Sequence, residues 1–459
     1  MMLGYYLRLA MSSLRRSPGL TALMIAAVAL GIAVCVTSLT VYQGLSGNPI
    51  PWKNDLLHAV TIDNWDPQFP ARERHPDQPP TQLAWRDAVA LLESDIPVRS
   101  VVMFKTAGVL ATGTAGARPQ RALTRVTSAD FFAMFDVPFR FGAGWTAAAD
   151  QGPEPVIVLA SAMNERLFGG ANSVGRTLRW NDMEFRVVGV LDEWRPLPKF
   201  YDLNNGALQE PEEAYIPWGW GLAAELPSAG SWNCWKPEPL ASFRDFVQSE
   251  CVWLQVWVEL ADAGARQRMQ SLLDTYARDQ QRAGRLPRPL NNRLTPVDRW
   301  LADNDVVGSD DRVLVGLAFA FLAVCLLNTV GLLLARFQRG AVTTGVRRAL
   351  GASRRQICLQ HLTEAGLVCA AGAALGLALA GLLLWGLRLL YATQDGTRDG
   401  IQALAHVAPG SITTALALAV LATLVAGLYP SWRIGRSAPA ACLQGRPMGF
   451  RHTGRRFVP

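Results

Sequence analysis

The chain lacks the short motifs that support covalent chemistry. It has no G-x-x-x-x-G-K-(S/T) loop to cradle a nucleotide's phosphates, no H-E-x-x-H pair and no nucleophile elbow. Its 5 histidines and 7 cysteines form no clustered ligand set. His361 and Glu364 stand three positions apart, but without a third ligand they read as interfacial polar residues rather than a metal site. P-loop binding of ATP and catalysis by this chain itself are therefore not expected, and no cofactor or metal is implied.

Charge is missing too, in a pattern. No charged residue occurs from Ser17 to Trp52, Val313 to Ala335, Ala365 to Leu387, or Gly400 to Trp432. Each window holds an apolar stretch of roughly 18 to 23 residues, enough for a helix to cross hydrocarbon ~30 Å thick. Between residues 53 and 310 there is no such run. The first window, preceded by Arg8, Arg15 and Arg16, has the flank of a secretory signal. Its apolar run, Leu20 to Val41, exceeds the ~7 to 15 residues of a signal core, and no small-x-small cleavage site follows, so it is expected to remain as an anchor.

Acidic residues are absent where arginines gather. Residues 1–19 carry Arg8, Arg15 and Arg16. The connection after the second window carries Arg336, Arg339, Arg347, Arg348, Arg354 and Arg355, with no carboxylate before Glu364. The tail carries Arg433, Arg436, Arg446, Arg451, Arg455 and Arg456. In the loop after the third window, Arg388 and Arg398 are balanced by Asp395 and Asp399. By the positive-inside rule both termini and the middle connection are cytoplasmic, and residues 45–310 lie outside. Once these 15 arginines are set aside, the 44 basic residues no longer outnumber the 37 acidic ones. The net charge of +7 thus belongs to a membrane face that meets anionic lipid, and no nucleic-acid partner is implied.

The expected architecture is a membrane α-helical protein with four transmembrane helices and a large α+β extracytoplasmic domain inserted between helices 1 and 2. An amphipathic segment, 1–19, precedes spans at 20–42, 313–335, 365–387 and 411–431. Residues 336–361 form a cytoplasmic coupling segment and 433–459 a cytoplasmic tail. In the outer domain, 45–310, an α/β lobe from about 50–125 and 251–300 is expected to flank a β-rich inserted lobe at about 126–250. Strands are expected near Leu57 to Ile62, Val98 to Phe104, Arg121 to Val126, Pro155 to Leu159 and Val252 to Leu260. Helices are expected at Gln82 to Glu93, Ser161 to Phe168 and Ala263 to Arg282, and a hairpin turns at Asn181 and Asp182.

Only Cys234 and Cys251 fall in the outer domain, where a disulfide is permitted, and a bridge between them is expected. Trp218, Trp220, Trp232, Trp235, Trp253 and Trp257 crowd the same stretch. They could line a groove for an amphipathic substrate or serve as core and rim aromatics, the second being the simpler reading.

From Arg339 to Ala365 the chain reads RGAVTTGVRRALGASRRQICLQHLTEA. Val342, Val346, Ala349 and Leu350 share one face of a short helix, with Arg347 and Arg348 toward its polar side. Gly351 can end that helix, and Ser353 with Gln356 forms a capping box that starts the next. Within the spans, Gly372 and Gly376 make a G-x-x-x-G pair, and Asn328 is a lone polar residue. Both features suit close helix packing, within the chain or between subunits.

The run GVRRALGASRRQI resembles the cytoplasmic motif of the FtsX/MacB permease superfamily, in which this helix docks onto an ATPase. That superfamily usually has Glu where Thr343 stands here. The entry from Leu14, the exit from Gly427, and the outer stretches VTSADFFAMF, VIVLASAMNERLFGG and SVGRTLRWNDMEFRVVGVL resemble the same superfamily in its order. The resemblance implies a permease subunit of an ABC transporter of the mechanotransmission type, exporting a peptide, antibiotic or lipid-linked cargo. It implies a separate ABC ATPase subunit, docked through Val346, Arg347, Arg348, Leu350, Gly351 and Ser353, and a second permease subunit, identical or related. A periplasmic adaptor and outer-membrane channel would complete an exporter in the inner membrane. The alternative it leaves is an FtsX-like signal transducer that activates a periplasmic cell-wall hydrolase.

Overall fold

The computed structural model describes residues 2–113, 118–238, 240–306, 309–339, 346–347 and 350–391, together with scattered helical positions between 413 and 424. In chain order it begins with α1 (Met2–Arg15) and α2 (Pro18–Ser46), followed by β1 (Leu57–Thr61), α3 (Trp85–Leu92), β2 (Arg99–Ala111) and β3 (Gln120–Thr127). Then come α4 (Phe131–Met134), β4 (Phe139–Gly142), α5 (Ala147–Gln151), β5 (Val156–Leu159), α6 (Ser161–Phe168), β6 (Thr177–Trp180) and β7 (Met183–Leu191). After β8 (Ala214–Pro217), α7 (Gly219–Ala223), α8 (Phe243–Gln248), β9 (Gln255–Glu259), α9 (Ala263–Arg282), β10 (Arg293–Pro296) and α10 (Val297–Asp303), the long helices α11 (Ser309–Arg339) and α12 (Arg354–Tyr391) follow.

Two compact units result. One combines Met1–Gln43, Gly308–Leu390 and Leu404–Pro459, and the other Gly44–Val307 with Tyr391–Ala403. In the first, three helices among the described residues are long and apolar enough to cross a membrane: Pro18–Gly44, Arg312–Arg339 and Arg355–Leu387. Pro18 opens α2 where a missing N–H costs nothing. Most of the expected fourth span, 411–431, and all of the tail, 433–459, lie outside the described residues. The helices pack through Val28, Ile32 and Val36 of α2, Ala318 and Leu322 of α11, and Cys369 and Ala373 of α12.

The second unit is built on one ten-stranded sheet in the order β10-β1-β9-β2-β3-β8-β5-β7-β4, with β6 pairing both β2 and β7. That last pairing closes a ring, β2-β3-β8-β5-β7-β6 and back to β2. Strand β2 belongs to both halves. Its start, Arg99 to Met103, runs antiparallel to β9, and its end pairs with β3 and, at Leu110 and Ala111, with β6. The strand expected to stop near Phe104 therefore continues to Ala111. The flanking and inserted segments share this strand and one hydrogen-bonded sheet.

Ring closure is held from inside by Trp180, fully buried, whose indole donates to Thr124 Oγ1 at 3.0 Å. A Cβ on Gly108 would sit 2.3 Å from the Trp180 Nε1, so only glycine lets β2 pass the ring. Alternation along the strands feeds two cores. Val60, Val102, Phe104 and Val256 join one with α3 and α9, while Leu57, Val101, Met103 and Trp257 join the other with α4 and α10. Cys234 and Cys251 are disulfide-bonded, with Cα atoms 4.3 Å apart.

The sheet also encloses charge. Arg125 on β3 is fully buried and hydrogen-bonds to Asp202 and Glu212, and Lys199 reaches Glu212 at 2.7 Å. Burial alone would raise the Glu212 carboxyl, but the charges of Arg125 and Lys199 outweigh it and hold the group well below its ordinary range.

Candidate coupling site

The candidate site lies where α12 begins. Ser353 Oγ accepts the Gln356 N–H at 3.3 Å, and the Gln356 Oε1 accepts the Ser353 N–H at 2.9 Å, a reciprocal cap on the first turn of α12. The turn before it is helical at Val346 and Arg347, with the Leu350 N–H donating to the Val346 carbonyl at 3.0 Å. Gly351 then reverses the chain at a φ of +99°, a conformation that favours glycine. Thr343 and Arg348 lie outside the described residues. Leu350 is 83% exposed and Val346 45% exposed, an apolar pair turned away from the described part of its own unit.

Arg347 ties this turn to two helices. One guanidinium nitrogen donates to Gln360 Oε1 of α12 at 2.7 Å, and another to the Tyr5 hydroxyl of α1 at 3.0 Å. Nearby, Arg336 at the end of α11 donates to Thr21 Oγ1 of α2 at 2.8 Å and to Ser13 Oγ of α1 at 3.3 Å. Hydrogen bonds thus join α1, α2, α11, α12 and the turn at one end of the spans. His361 is buried there with its ring centroid 4.0 Å from that of Phe337. Among the described residues no group of His, Cys, Asp and Glu could hold a metal ion.

Deeper along the helices, a Cβ on Gly372 would lie 2.7 Å from Val28, and one on Gly376 2.8 Å from the Ala29 carbonyl oxygen. The G-x-x-x-G pair is therefore where α12 meets α2 of the same chain. Asn328 on α11 is exposed and does not join that contact.

The tryptophans of the second unit, Gly44–Val307 with Tyr391–Ala403, called the outer unit below, do not converge on one groove. Trp253 and Trp218 lie against Trp85 at centroid distances of 5.8 and 4.7 Å in one core, and Trp257 packs on Phe200 at 5.5 Å in the other. Trp220 donates to the Glu154 carbonyl at 2.8 Å, Trp235 is half-buried, and Trp232 is exposed. A separate cleft of about 260 Å³ is lined by Ser161, Asp192, Trp194 and Glu213, but Arg166 pairs with Glu213 and Arg195 stands 3.5 Å from both Glu193 and Glu210.

The family model described as MacB-like periplasmic core domain matches residues 21–276, more than half of the chain. The chain belongs to the FtsX/MacB-like permease family. A second model, FtsX-like permease C-terminal, matches residues 315–439 and so takes in α12 and the turn before it. Among its relatives, the pyoverdine export ATP-binding/permease protein PvdT of Pseudomonas entomophila is 24% identical over 92% of this chain and 57% of its own length. The macrolide export ATP-binding/permease protein MacB of Salmonella typhimurium is 26% identical over 68% of this chain and 41% of its own length. The chain thus spans about half the length of these relatives. Among solved structures, the periplasmic region of MacB from Actinobacillus actinomycetemcomitans aligns with 54% of this chain and 92% of its own at 14% identity, with a TM-score of 0.35. The extracellular domain of the transporter YknZ from Gram-positive bacteria aligns with 52% of this chain and 99% of its own at 12% identity, with a TM-score of 0.33.

Sequence reasoning found the Ser353 and Gln356 capping box of this family member, because it is a local pattern. It did not find the bonds from Arg347 to Tyr5 and from Arg336 to Ser13, whose partners lie 342 and 323 residues away. Arg336 was visible only as an orientation signal, and Arg347 as that and as an expected docking residue.

Proposed function

We propose that the chain is the membrane-spanning permease of an ABC-type exporter that works by mechanotransmission. The observation that carries this reading is the turn at residues 346–353. It offers Val346 and Leu350 outward while Arg347 clamps it to α1 and α12, so a push on the exposed side chains must move both helices together. The pushing partner is an ATPase on a separate polypeptide, docked on Val346, Arg347, Arg348, Leu350, Gly351 and Ser353. A second permease, identical or related, completes the pair. With four spans and the arginine-rich ends in the cytoplasm, the outer unit is periplasmic and the spans lie in the inner membrane.

The described spans carry few ionisable groups between their ends, so cargo has no polar path among them and is moved on the outer side. The relatives named for macrolide and pyoverdine export make an antibiotic, siderophore, peptide or lipid-linked molecule the fitting class of cargo. An adaptor and an outer-membrane duct would receive it.

Mild detergent extraction followed by identification of co-purifying proteins tests this. An ABC ATPase is expected with the wild type and is expected to be lost with Leu350→Asp, which places a charge in the docking face while the protein stays in the membrane. Wild type recovered without any ATPase would overturn the reading. A peptidoglycan hydrolase recovered in place of an adaptor would replace export with signalling.

A further inference from the structure

A cavity of about 280 Å³ opens beside the coupling turn, among α1, the end of α11 and the start of α12. Arg16, Arg336 and Arg347 line it, with His361 and the hydroxyls of Ser12 and Ser13, against the single carboxylate of Glu364. Arg336 is only 9% exposed, and among the described residues it hydrogen-bonds to the neutral hydroxyls of Thr21 and Ser13. The Glu364 carboxylate faces Arg336 as a countercharge, but one carboxylate against three guanidinium groups leaves the cavity with an excess of positive charge that an anion would offset. Glu364, only 2% exposed, is hydrogen-bonded to the Ser13 hydroxyl and to Gln360, the latter at 3.4 Å, and Gln360 in turn accepts from Arg347. His361 is only 5% exposed, and neither ring nitrogen has a hydrogen-bond partner among the described residues.

We infer that this cavity binds the phosphodiester of an anionic phospholipid, with Arg336 and Arg16 gripping the phosphate and Ser12 and His361 donating to its oxygens. Three features favour a lipid over a free anion. The lining comes from the arginine-rich ends of membrane helices, where headgroups lie. Leu9 and Phe337 add apolar surface beside the charges, which suits a glycerol backbone and the start of an acyl chain. Basic pockets between transmembrane helices bind anionic headgroups by the same combination. Because Arg347 lines the cavity and also clamps the turn, an occupied site would stiffen the joint on which the proposed function depends. The side of the membrane rests on that reading, whereas the site itself does not.

The full chain, purified in a zwitterionic detergent, is titrated with short-chain phosphatidylglycerol, short-chain phosphatidylcholine or inorganic phosphate while its thermal unfolding is followed. Phosphatidylglycerol is expected to raise the midpoint saturably, with neither other probe doing so. Arg16→Gln, at an exposed position, is expected to keep the unliganded midpoint and weaken the apparent affinity about fivefold, the effect of one arginine near an anionic surface. Arg336→Gln is expected to abolish the shift, and where it also lowers the starting midpoint, Arg16→Gln carries the test. Equal shifts with phosphatidylcholine would mean an unspecific amphiphile effect, and equal shifts with inorganic phosphate a free-anion site. Either outcome, or an unchanged affinity in Arg16→Gln, overturns the inference. ATPase recovery with these variants stays a separate readout, so failure here leaves the docking experiment to stand or fall by itself.

Discussion

Nothing local distinguishes Arg125 from Arg121. Both lie on β3, four residues apart and on the same face of a strand, yet Arg121 is exposed and Arg125 is fully buried. The difference arrives from Asp202 and Glu212, 77 and 87 residues further on, which is why sequence reasoning missed the buried cluster. Arg125→Met would leave those two carboxylates without their guanidinium partner, and breaking a buried pair by removing one partner costs about 3 to 5 kcal/mol. Denaturant unfolding of the outer unit measures that loss. Acid should act on the same cluster. Glu212 is held below its ordinary value, so the unfolded chain binds its proton first, and the stabilisation present above the ordinary value of 4.5 is lost as pH falls further. His58 adds an earlier step. Burial lowers its pKa from 6.5, so the folded state resists protonation and loses stability as pH drops below that value. An unfolding series from pH 7 to pH 3 should therefore show stability falling in two stages, and a flat profile would contradict both assignments.

Among the elements, those written in a local pattern were legible and those set by a distant partner were not. Helix α9 runs Ala263–Arg282 as the sequence indicates, because Asp262 caps it and Ala265, Met269, Leu273 and Ala277 mark one buried face. Helix α6 runs Ser161–Phe168 as the sequence indicates, with Ala160 at its N-cap, and Gly169 ends it in the left-handed conformation expected of a glycine stop. Strand β2 was legible only to Phe104, because Lys105 to Gly108 breaks the alternation, and its continuation depends on β6 closing the ring. The G-x-x-x-G pair was legible as a contact but not as to whose helix it meets. A valine at Gly376 would press against the carbonyl oxygen of Ala29, which cannot swing aside as a side chain can. Overpacking of this kind costs about 1 to 3 kcal/mol. Gly376→Val should therefore lower the midpoint in detergent, whereas Gly381→Val, with nothing within 4 Å among the described residues, should leave it unchanged. Equal effects at the two positions would remove the α2 contact from consideration.

On the scale of the whole molecule, the two units have separate cores and separate kinds of staple. The membrane unit is held by helix packing and by arginine to hydroxyl bonds, while the outer unit holds the disulfide, the buried carboxylates and both sheet cores. A single cooperative transition is the property of one core, so full-length protein should unfold in two steps. Reductant should move only one of them. The Cys234 to Cys251 bridge closes a loop with a sequence separation of 17, for which the chain-entropy estimate is roughly 3 kcal/mol. Acid should move that same step through Glu212 and His58. Phosphatidylglycerol should instead move the other, since the cavity beside the coupling turn is lined entirely by the membrane unit. Calorimetry on the intact chain, with reductant, acid and lipid varied in turn, separates these effects. If one perturbation shifts both steps equally, the units share a folding transition, and a push at the turn would then reach the outer unit through common stability rather than through two bodies moved by a joint.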